Sequence, residues 1–515
     1  MALAIDKEAI VEHIYHGYGK PSSTSHYYPW SDELAPYPFD PDRARQLLEE
    51  AGYPNGFDVK LVDAPAAGLG LHDVASLAAA RQPRLVVVDT STPSIHNDLE
   101  VAAAIKHRVP AAFLLLVGPH ATARPEECMR LNPAVDAVAR AEYDHTVRDV
   151  ARWLSGGSRL PPYRGQDLGT ILGLTYREAG GSLVSSPPRP FIQDLDALPF
   201  VSEVYKRHLR IEDYFYSIAR HPQVTIVTGR GCPYRCTYCL WPQTITGHQY
   251  RQRSIADVAD EFAFIAREFP QVREIVLEDD TFTADRERCI AWARELIRRD
   301  NRLPFTANSR TDVDYETLSW LKRAGLRLLC VGFESFDPGV LDAMGKRIAV
   351  EQFYRFREDA RRTGVLVHGC FMAGGPGETP ESLAHTLELA KALNPDTAQF
   401  FPLMVYPGTQ AYDWAKSKGY LTTEDFRHWL TPEGLHRTVV SQPGLEAEDL
   451  VQWCDGARRS FYLRPRYLLG KAWEIVARPA EAGRILRAAR AFAKHLFQPS
   501  LPSRSMKPTR RTTGR

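Results

Sequence analysis

The feature that most constrains the fold is a regular alternation of apolar runs and amphipathic stretches between residues 224 and 420. Six runs have the length and composition of strands: VTIVTG, EIVLEDD, FTANSR, LLCVGFES, LVHGCFMAGG and TAQFFPLMVYPG. Stretches with helical periodicity, such as IADVADEFAFIAREF and VEQFYRFREDARR, separate them. Because strands that alternate with helices form parallel sheets, the pattern predicts a partial (β/α)6 barrel over residues 220–425. Functional residues are then expected at the carboxyl ends of its strands.

A second α/β pattern precedes the barrel. Residues 57–165 contain RLVVVDTS, LEVAAAIKHR, AAFLLLVGPH and TVRDVARWL, which predict a Rossmann-like domain. Residues 166–219 are rich in proline and glycine and are predicted to be a linker. Residues 426–515 are predicted to form a helical region that ends in a basic tail. The fold class is therefore α/β, with a Rossmann-like domain before the barrel and helices after it.

Charge and hydropathy narrow the function classes. The net charge of +1 argues against nucleic acid as a partner, although Lys and Arg exceed Asp and Glu by 13 from Ala457 to Arg515. No apolar run has transmembrane length and no signal peptide is recognisable, so a cytoplasmic location is predicted. The basic end leaves open peripheral contact with the inner membrane face. Trp473, Ile475 and Leu486 among its arginines suit an anionic membrane, or equally a helical cap on the barrel.

Three of the eight cysteines lie in one short segment, GRGCPYRCTYCLWPQ. Cys232, Cys236 and Cys239 follow the first predicted barrel strand with the spacing Cys-x3-Cys-x2-Cys. Three thiolates on such a loop suit one face of a cubane [4Fe–4S] cluster and leave the fourth iron without a protein ligand. A structural zinc site would need a fourth ligand, and the next histidine, His248, has an unusual spacing for zinc. Cys289, Cys330, Cys370 and Cys454 are predicted to be small buried residues, and Cys370 alone is expected near the cavity, with no role assigned to it.

The cysteine motif and the strand order from Val224 to Tyr420 resemble the radical S-adenosylmethionine (SAM) superfamily. The resemblance implies an enzyme in which SAM chelates the open iron of a [4Fe–4S] cluster. One electron then cleaves SAM into methionine and a 5′-deoxyadenosyl radical, which abstracts a substrate hydrogen. A flavodoxin- or ferredoxin-type reductant would supply that electron.

The resemblance also implies SAM contacts at the strand ends. Asp279 and Asp280 are expected at the SAM amino group, and Arg310 at its carboxylate. Ribose and adenine contacts are expected from Glu334, Ser335, Gly374 and Gly375. Each residue has a plainer alternative: a helix cap for the aspartates, a salt bridge at the barrel rim for Arg310 and a turn for the glycines. No catalytic residue is predicted.

Residues 58–200 resemble the cobalamin-binding-type domain that precedes many radical SAM barrels, on VGPHATARPEE, AEYDHTVRDVA and FIQDLDALPF. The Asp-x-His-x-x-Gly motif that supplies a cobalt ligand is absent from the sequence, so cobalamin is left open. CLWPQTITGHQYRQRS and RRSFYLRPRYLL resemble the J-type proteins of hopanoid biosynthesis. That resemblance implies radical chemistry on the head group of a hopanoid lipid, giving the cyclitol ether of bacteriohopanetetrol.

Other functions stay open beside the hopanoid one. A cobalamin-dependent radical SAM methyltransferase acting on a lipid or another small molecule is the first alternative, and an inactive iron–sulfur or metal-binding scaffold is the second. Residues 1–56, including DKEAIVEHIYHGYGKP, resemble a fragment of a family 5 extracellular solute-binding protein. We expect this fragment to be foreign to the enzyme.

Overall fold

The computed structural model describes residues 58–155, 167–178, 180–429 and 437–477, and short stretches between 479 and 490. The solute-binding-protein-like fragment and the end of the basic tail lie outside the described residues. The described residues divide into two compact units, one within residues 58–60 and 144–187 and the other within residues 61–143 and 188–490.

The second unit begins with a small parallel sheet. Its strands pair in the order β1-β2-β3, with Leu85 opposite Phe113 and Leu115 opposite Ala137. The elements are α1 (Leu71–Arg81), β1 (Leu85–Asp89), α2 (Ile95–Arg108), β2 (Phe113–Val117), α3 (Pro119–Ala123), α4 (Pro125–Leu131) and β3 (Ala137–Ala139). Ala102 and Ile105 on α2 and Leu114 on β2 form a small apolar core.

The first unit contains a helix and a hairpin. Its described elements are α5 (Asp144–Leu154), β4 (Leu174–Arg177) and β5 (Leu183–Ser185), and the two strands pair antiparallel. The Thr146 hydroxyl on α5 donates to the Leu172 carbonyl at 3.0 Å. The hairpin and the later helix α6 (Val201–His208) both lie in the segment predicted from sequence as a linker.

Six parallel strands form the barrel sheet in the order β6-β9-β10-β11-β12-β13. They are β6 (Gln223–Ile226), β9 (Glu274–Leu277), β10 (Phe305–Ser309), β11 (Leu326–Glu334), β12 (Leu366–Ala373) and β13 (Thr397–Pro402). A short antiparallel pair, β7 (Gly229–Arg230) and β8 (Arg251–Gln252), lies between β6 and β9 in the chain. All six predicted strands are present, and the α/β prediction is confirmed.

Helices return the chain between these strands. They are α7 (Ile255–Glu268), α8 (Arg286–Arg298), α9 (Tyr315–Arg323), α10 (Pro338–Ala343), α11 (Val350–Thr363) and α12 (Pro380–Leu393). Several begin at a side chain that accepts a backbone N–H and so satisfies an end group of the helix, for example Ser254 at α7 and Asp285 at α8.

The core lies between the strands and these helices. Leu329, Val331 and Phe333 on β11 and Phe371 on β12 are buried there, because alternate residues of a strand point to the same face. Intervening positions such as Cys330 and Gly332 are only partly buried and face the interior of the barrel. Strand parity therefore separates packing residues from residues of the interior.

Among the described residues up to 477, the α-helices after the barrel are α13 (Gln410–Ser417), α14 (Ala447–Tyr462) and α15 (Pro465–Ala477). α14 packs on β13, where the Tyr462 hydroxyl donates to the Ala398 carbonyl at 2.6 Å. On α15, Leu469, Trp473 and Val476 are each 71% exposed. Within the described ranges, no helix is both long and apolar enough to cross a bilayer.

Candidate functional site

The cysteine loop starts at the carboxyl end of β6 and is fastened at several points. Gly231 has φ +89°, and a β-carbon there would lie 2.1 Å from the Gln249 carbonyl oxygen, so only glycine fits. Further along the loop, the Thr237 N–H donates to the Met344 carbonyl at 2.9 Å. The loop is therefore held on one side by the segment just before β8 and on the other by the segment just after α10.

Of the three thiols on this loop, that of Cys232 is buried and those of Cys236 and Cys239 are half-buried. Burial, followed by the nearby charges of Asp280, Cys236 and Cys232, raises the pKa of the Cys239 thiol. Thiolates that raise each other's pKa are stabilised by cationic iron, because the metal ion takes the place of the thiol protons. The residues present fit a [4Fe–4S] cluster held by Cys232, Cys236 and Cys239.

Arg310 ends the strand region of β10 and lies against the cysteine loop. Its Nη1 is 3.8 Å from Cys236 Sγ, and its Nη2 donates to the Lys346 carbonyl at 2.7 Å. The guanidinium carbon lies 3.8 Å from the centre of the Tyr234 ring, a cation–π contact. The family resemblance implies a SAM carboxylate as the partner of Arg310, and the structure places its positive charge beside Cys236, a predicted cluster ligand.

Asp279 and Asp280 follow β9 and hold different parts of the site. The Asp279 carboxylate accepts from the Thr228 N–H and hydroxyl, both at 2.6 Å, and from the Tyr250 hydroxyl at 3.1 Å. Asp280 Oδ2 accepts from the Gly231 N–H at 3.0 Å and from Thr246 Oγ1 at 2.7 Å. Asp279 therefore fixes the end of β6, whereas Asp280 touches the cysteine loop itself.

Glu334 at the end of β11 forms a buried ion pair at the mouth of the barrel. Its Oε1 lies 3.0 Å from Lys346 Nζ and accepts from the Tyr238 hydroxyl at 3.0 Å. Oε2 is buried and has no hydrogen-bond partner within the described part of the chain. Glu334 also has a φ of +66°, which is rare for a residue other than glycine. A strained residue with an unused buried acceptor is typical of a ligand contact.

Ser335 and the two predicted glycines are occupied by the protein. Ser335 Oγ accepts from the Asp337 N–H at 3.1 Å and is paired with Thr386. The N–H groups of Gly374 and Gly375 donate to one oxygen of Glu378 at 2.7 and 3.1 Å. A β-carbon at Gly375 would lie 2.7 Å from the Met344 methyl group, so this segment packs closely behind the loop that holds the cysteines.

Glu142, which sequence reasoning missed, joins the small parallel sheet to the barrel. It follows β3, and its Oε1 and Oε2 lie 2.8 Å from Arg230 and 2.7 Å from Arg251. Oε2 also accepts from the Ile192 N–H at 2.7 Å. Because Arg230 lies one residue before Gly231, the carboxyl edge of the small sheet meets the barrel beside the cysteine loop. The signal in the sequence is an acid directly after a strand, which alone does not identify a partner.

Two family models match the sequence. The model described as the radical SAM superfamily matches residues 226–390, which contain the cysteine loop and most of the barrel. The model described as bacterial extracellular solute-binding proteins, family 5 middle, matches residues 1–100.

Relatives extend over both α/β regions. An uncharacterized methyltransferase of Pyrococcus horikoshii is 30% identical over 418 residues, which is 81% of this chain and 87% of that protein. The anaerobic magnesium-protoporphyrin IX monomethyl ester cyclase of Rubrivivax gelatinosus is 25% identical, over 82% of this chain and 73% of that protein. Among solved structures, a radical SAM methyltransferase of Kitasatospora setae with cobalamin and a [4Fe–4S] cluster bound has a TM-score of 0.63. That pair is 20% identical and covers 81% of this chain and 88% of the other.

Proposed function

The chain belongs to the radical SAM superfamily, whose members are enzymes that use a [4Fe–4S] cluster and SAM, and we propose that it is a cobalamin-dependent radical SAM methyltransferase. The observation that carries the proposal is the 30% identity to a methyltransferase over 87% of that protein's length. Such coverage includes the small parallel sheet as well as the barrel. The methyltransferase, stated from sequence as an alternative, is therefore better supported than the hopanoid function.

The contacts between the small sheet and the barrel support this proposal. Ligands of parallel α/β sheets bind at the carboxyl edge, and those of barrels at the carboxyl ends of the strands. Glu142 joins these two edges through Arg230 and Arg251. A β-carbon at Gly408, after β13, would lie 2.9 Å from Ala123 Cβ, so the two regions also touch at α3. A cofactor at the edge of the small sheet would thus lie beside the barrel mouth.

His120, at the carboxyl edge of the small sheet, has the chemistry expected of a contact to a polar cofactor. It lies on α3, three residues after the carboxyl end of β2, and its Nδ1 is 3.0 Å from Thr92 Oγ1. Its Nε2 is buried without a hydrogen-bond partner in the described ranges, and burial lowers the pKa of the ring to about 3. A neutral imidazole with an unused nitrogen fits hydrogen bonding to an amide of a corrinoid. When bound, cobalamin would supply methyl-group transfer.

Three side chains carry the proposed SAM site. Glu334 Oε2 is the free buried acceptor at the barrel mouth and fits a ribose hydroxyl. Asp280 lies at the cysteine loop and fits the SAM ammonium group, because a carboxylate stabilises a cation. Arg310 fits the SAM carboxylate from beside Cys236. Asp279, Ser335, Gly374 and Gly375 would act indirectly, by holding the backbone around them.

Cofactor loading and SAM products test the proposal. The anaerobically reconstituted protein is incubated with hydroxocobalamin, desalted and examined by absorption spectroscopy, and then supplied with SAM and a flavodoxin-type reductant. We expect about one cobalamin per chain and formation of S-adenosylhomocysteine. The Cys232→Ala/Cys236→Ala/Cys239→Ala variant is the control, which should keep cobalamin and lose iron. A protein with iron that retains no cobalamin, or that forms 5′-deoxyadenosine without S-adenosylhomocysteine, contradicts the proposal.

The hopanoid head group stays a prediction from sequence resemblance, and one further assay separates it from methyl transfer. The holoenzyme is incubated with glycosylated bacteriohopanetetrol, SAM and reductant, and the lipid is analysed by mass spectrometry. A head group of unchanged mass but altered connectivity, with 5′-deoxyadenosine, supports the hopanoid function. A head group heavier by one methylene unit supports methyl transfer to the same lipid.

Peripheral membrane contact is also a proposal, supported by α15. Its exposed Leu469, Trp473 and Val476 follow a helical spacing that places them on one face, within a segment of net charge +13. We expect binding to vesicles of anionic phospholipid that weakens with salt and falls on Trp473→Asp substitution. Equal binding to neutral vesicles would contradict an electrostatic contact.

The foreign origin of residues 1–56 stays a proposal, because the solute-binding-protein match covers this fragment but also extends to residue 100, into α2. A truncated chain beginning at residue 57 should retain iron and cleave SAM at an unchanged rate. Loss of SAM binding in that chain would show that the fragment belongs to the enzyme.

A further inference from the structure

A second group of metal-ligating side chains lies in the barrel interior. Cys330 is on β11, and His368 and Cys370 are on β12. One ligand atom from each residue lies within 4.8 Å of those from the other two. These residues face the interior because Leu329 and Val331 on β11, and Val367 and Phe371 on β12, are in the core between strands and helices.

The spacing of the two sulfurs matches a chelate. Cys330 Sγ and Cys370 Sγ are 3.7 Å apart. Two thiolates at about 2.3 Å from a tetrahedral zinc ion lie about 3.8 Å apart. The same distance is ordinary contact between two thiols, so the choice depends on what else surrounds them.

Strand register disfavours a disulfide at this position. Cys330 is paired with His368 and Gly332 with Cys370, so the two cysteines are offset by two residues on neighbouring parallel strands. Diagonal neighbours of this kind have Cα atoms about 7–8 Å apart. A disulfide normally requires less than about 7 Å. The thiols can meet at one metal ion without movement of the backbone, whereas a disulfide would require it.

His368 is oriented as metal-binding histidines usually are. Its Nδ1 lies 2.8 Å from the Thr397 hydroxyl on β13. In metal sites, a polar partner on one ring nitrogen fixes the tautomer and directs the other nitrogen to the ion. The Thr397 contact gives His368 the polar partner that a metal-binding histidine usually has.

The surroundings close one side of the group and leave the other accessible. Tyr216 and Cys330 pack on an apolar floor of Ile218, Leu328 and Leu366. Cys330 and Cys370 are nevertheless only partly buried, so the interior gives a path to the sulfurs. Gly332, two residues beyond Cys330 on β11, leaves the space in which Lys346 and Glu334 meet. The group therefore lies on the strands below the proposed SAM site.

We propose that Cys330, His368 and Cys370 bind a zinc ion in the barrel interior, with the fourth coordination position open to an oxygen ligand. Two thiolates and one imidazole select zinc over magnesium or calcium, which prefer oxygen ligands. Three protein ligands and an open position are the arrangement of catalytic zinc sites, in which the metal acts as a Lewis acid. The site is separate from Cys232, Cys236 and Cys239 and does not depend on cobalamin.

Metal analysis of the full-length holoprotein tests this site. After anaerobic cluster reconstitution, dialysis against micromolar zinc and desalting, we expect about one zinc and about four irons per chain. X-ray absorption at the zinc edge should show two sulfurs at about 2.3 Å and nitrogen or oxygen neighbours at about 2.0–2.1 Å. A zinc shell of three or more sulfurs, or no retained zinc, would overturn the proposal.

Paired variants assign the metal to these residues. Cys330→Ser, Cys370→Ser and His368→Gln should each lose zinc and keep iron, whereas the triple alanine variant of the cluster cysteines should keep zinc and lose iron. Cys289→Ser is the matched control, since Cys289 is a buried cysteine whose sulfur donates to the Phe282 carbonyl at 3.6 Å. Equal circular dichroism spectra establish folding of each variant. Retention of zinc by both the Cys330 and the Cys370 variants would place the ion elsewhere and refute the assignment.

Discussion

The contact of Glu142 with two arginines offers the sharpest test of how the small sheet is joined to the barrel. The Glu142 side chain is 3% exposed and that of Arg251 2%, whereas Arg230 is 22% exposed. Breaking a buried ion pair leaves an uncompensated charge and costs about 3–5 kcal/mol. A more exposed pair contributes about 1 kcal/mol or less. Burial therefore predicts unequal losses from the two arginines.

We expect Glu142→Gln and Arg251→Met each to lower the free energy of unfolding by at least ~3 kcal/mol, and Arg230→Met by ~1 kcal/mol. Arg251 also donates to the Thr246 carbonyl at 2.8 Å and lies over the Phe191 ring, which adds to its loss. The measurement is urea unfolding of the anaerobic protein, with equal m values as the condition for comparing midpoints.

A double variant provides the internal control. If Glu142 and Arg251 stabilise the fold chiefly through each other, the Glu142→Gln/Arg251→Met protein should be destabilised by less than the sum of the single losses. A loss from Arg230→Met equal to that from Arg251→Met would refute the ranking by burial. Strict additivity in the double variant would refute the pair itself.

Four further changes test the site around the cysteine loop. Lys346→Met should lower the free energy of unfolding by about 3 kcal/mol, because Glu334 stays buried without its cation. Adding Glu334→Gln should recover part of that loss, as measured by urea unfolding. Arg310→Met should make the cluster potential more negative in a redox titration followed by electron paramagnetic resonance, because a cation beside a sulfur ligand favours the reduced cluster; an unchanged potential would contradict this. Burial raises the pKa of Glu378 from 4.5 to about 7, so the folded protein binds more protons than the unfolded chain and stability should fall as the pH rises from about 4.5 to 7; Glu378→Gln should flatten that dependence in melting curves. Gly231→Ala should reduce iron per chain, since its β-carbon would meet a carbonyl 2.1 Å away.

The strands could be predicted because they depend on local sequence, and the cluster ligands stay a prediction that rests on the same kind of local evidence. Alternation of apolar runs with amphipathic helices fixes the order of a parallel sheet, and three cysteines in eight residues define a donor set without help from the rest of the chain. The roles of the polar residues at the strand ends depended on distant partners. Asp279 is directed to Thr228 and Ser335 to Thr386, across 51 residues in each case. No local pattern contains these pairings.

The interior of the barrel could not be predicted from the same runs for a different reason. Strands of a parallel sheet are covered on both faces, so their sequences are apolar throughout and do not mark which side is which. LLCVGFES predicts a strand but does not show which of its residues face the interior. Cys330 and Cys370 are accordingly predicted from sequence to be small buried residues. The structure gives them a different setting, because both are partly buried and their sulfurs lie within 3.7 Å of each other.

The core residues of β11 fix which of its faces is buried. Leu329, Val331 and Phe333 lie in the core, so Cys330 and Gly332 between them face the interior. The pairing of β11 with β12 shifts register between Gly332 and Glu334, so the direction of Glu334 does not by itself fix that of Cys330. The same count applied to β12 groups His368 with Cys370, and the register of the two strands brings Cys330 opposite His368. Gly332 lies between Cys330 and the Glu334–Lys346 ion pair, and a β-carbon there would be 2.1 Å from Glu334 Oε1 and 2.7 Å from Lys346 Nζ. The segment from Cys330 to Glu334 therefore combines the sulfur proposed to bind zinc, a glycine that makes room and a buried carboxylate within one strand.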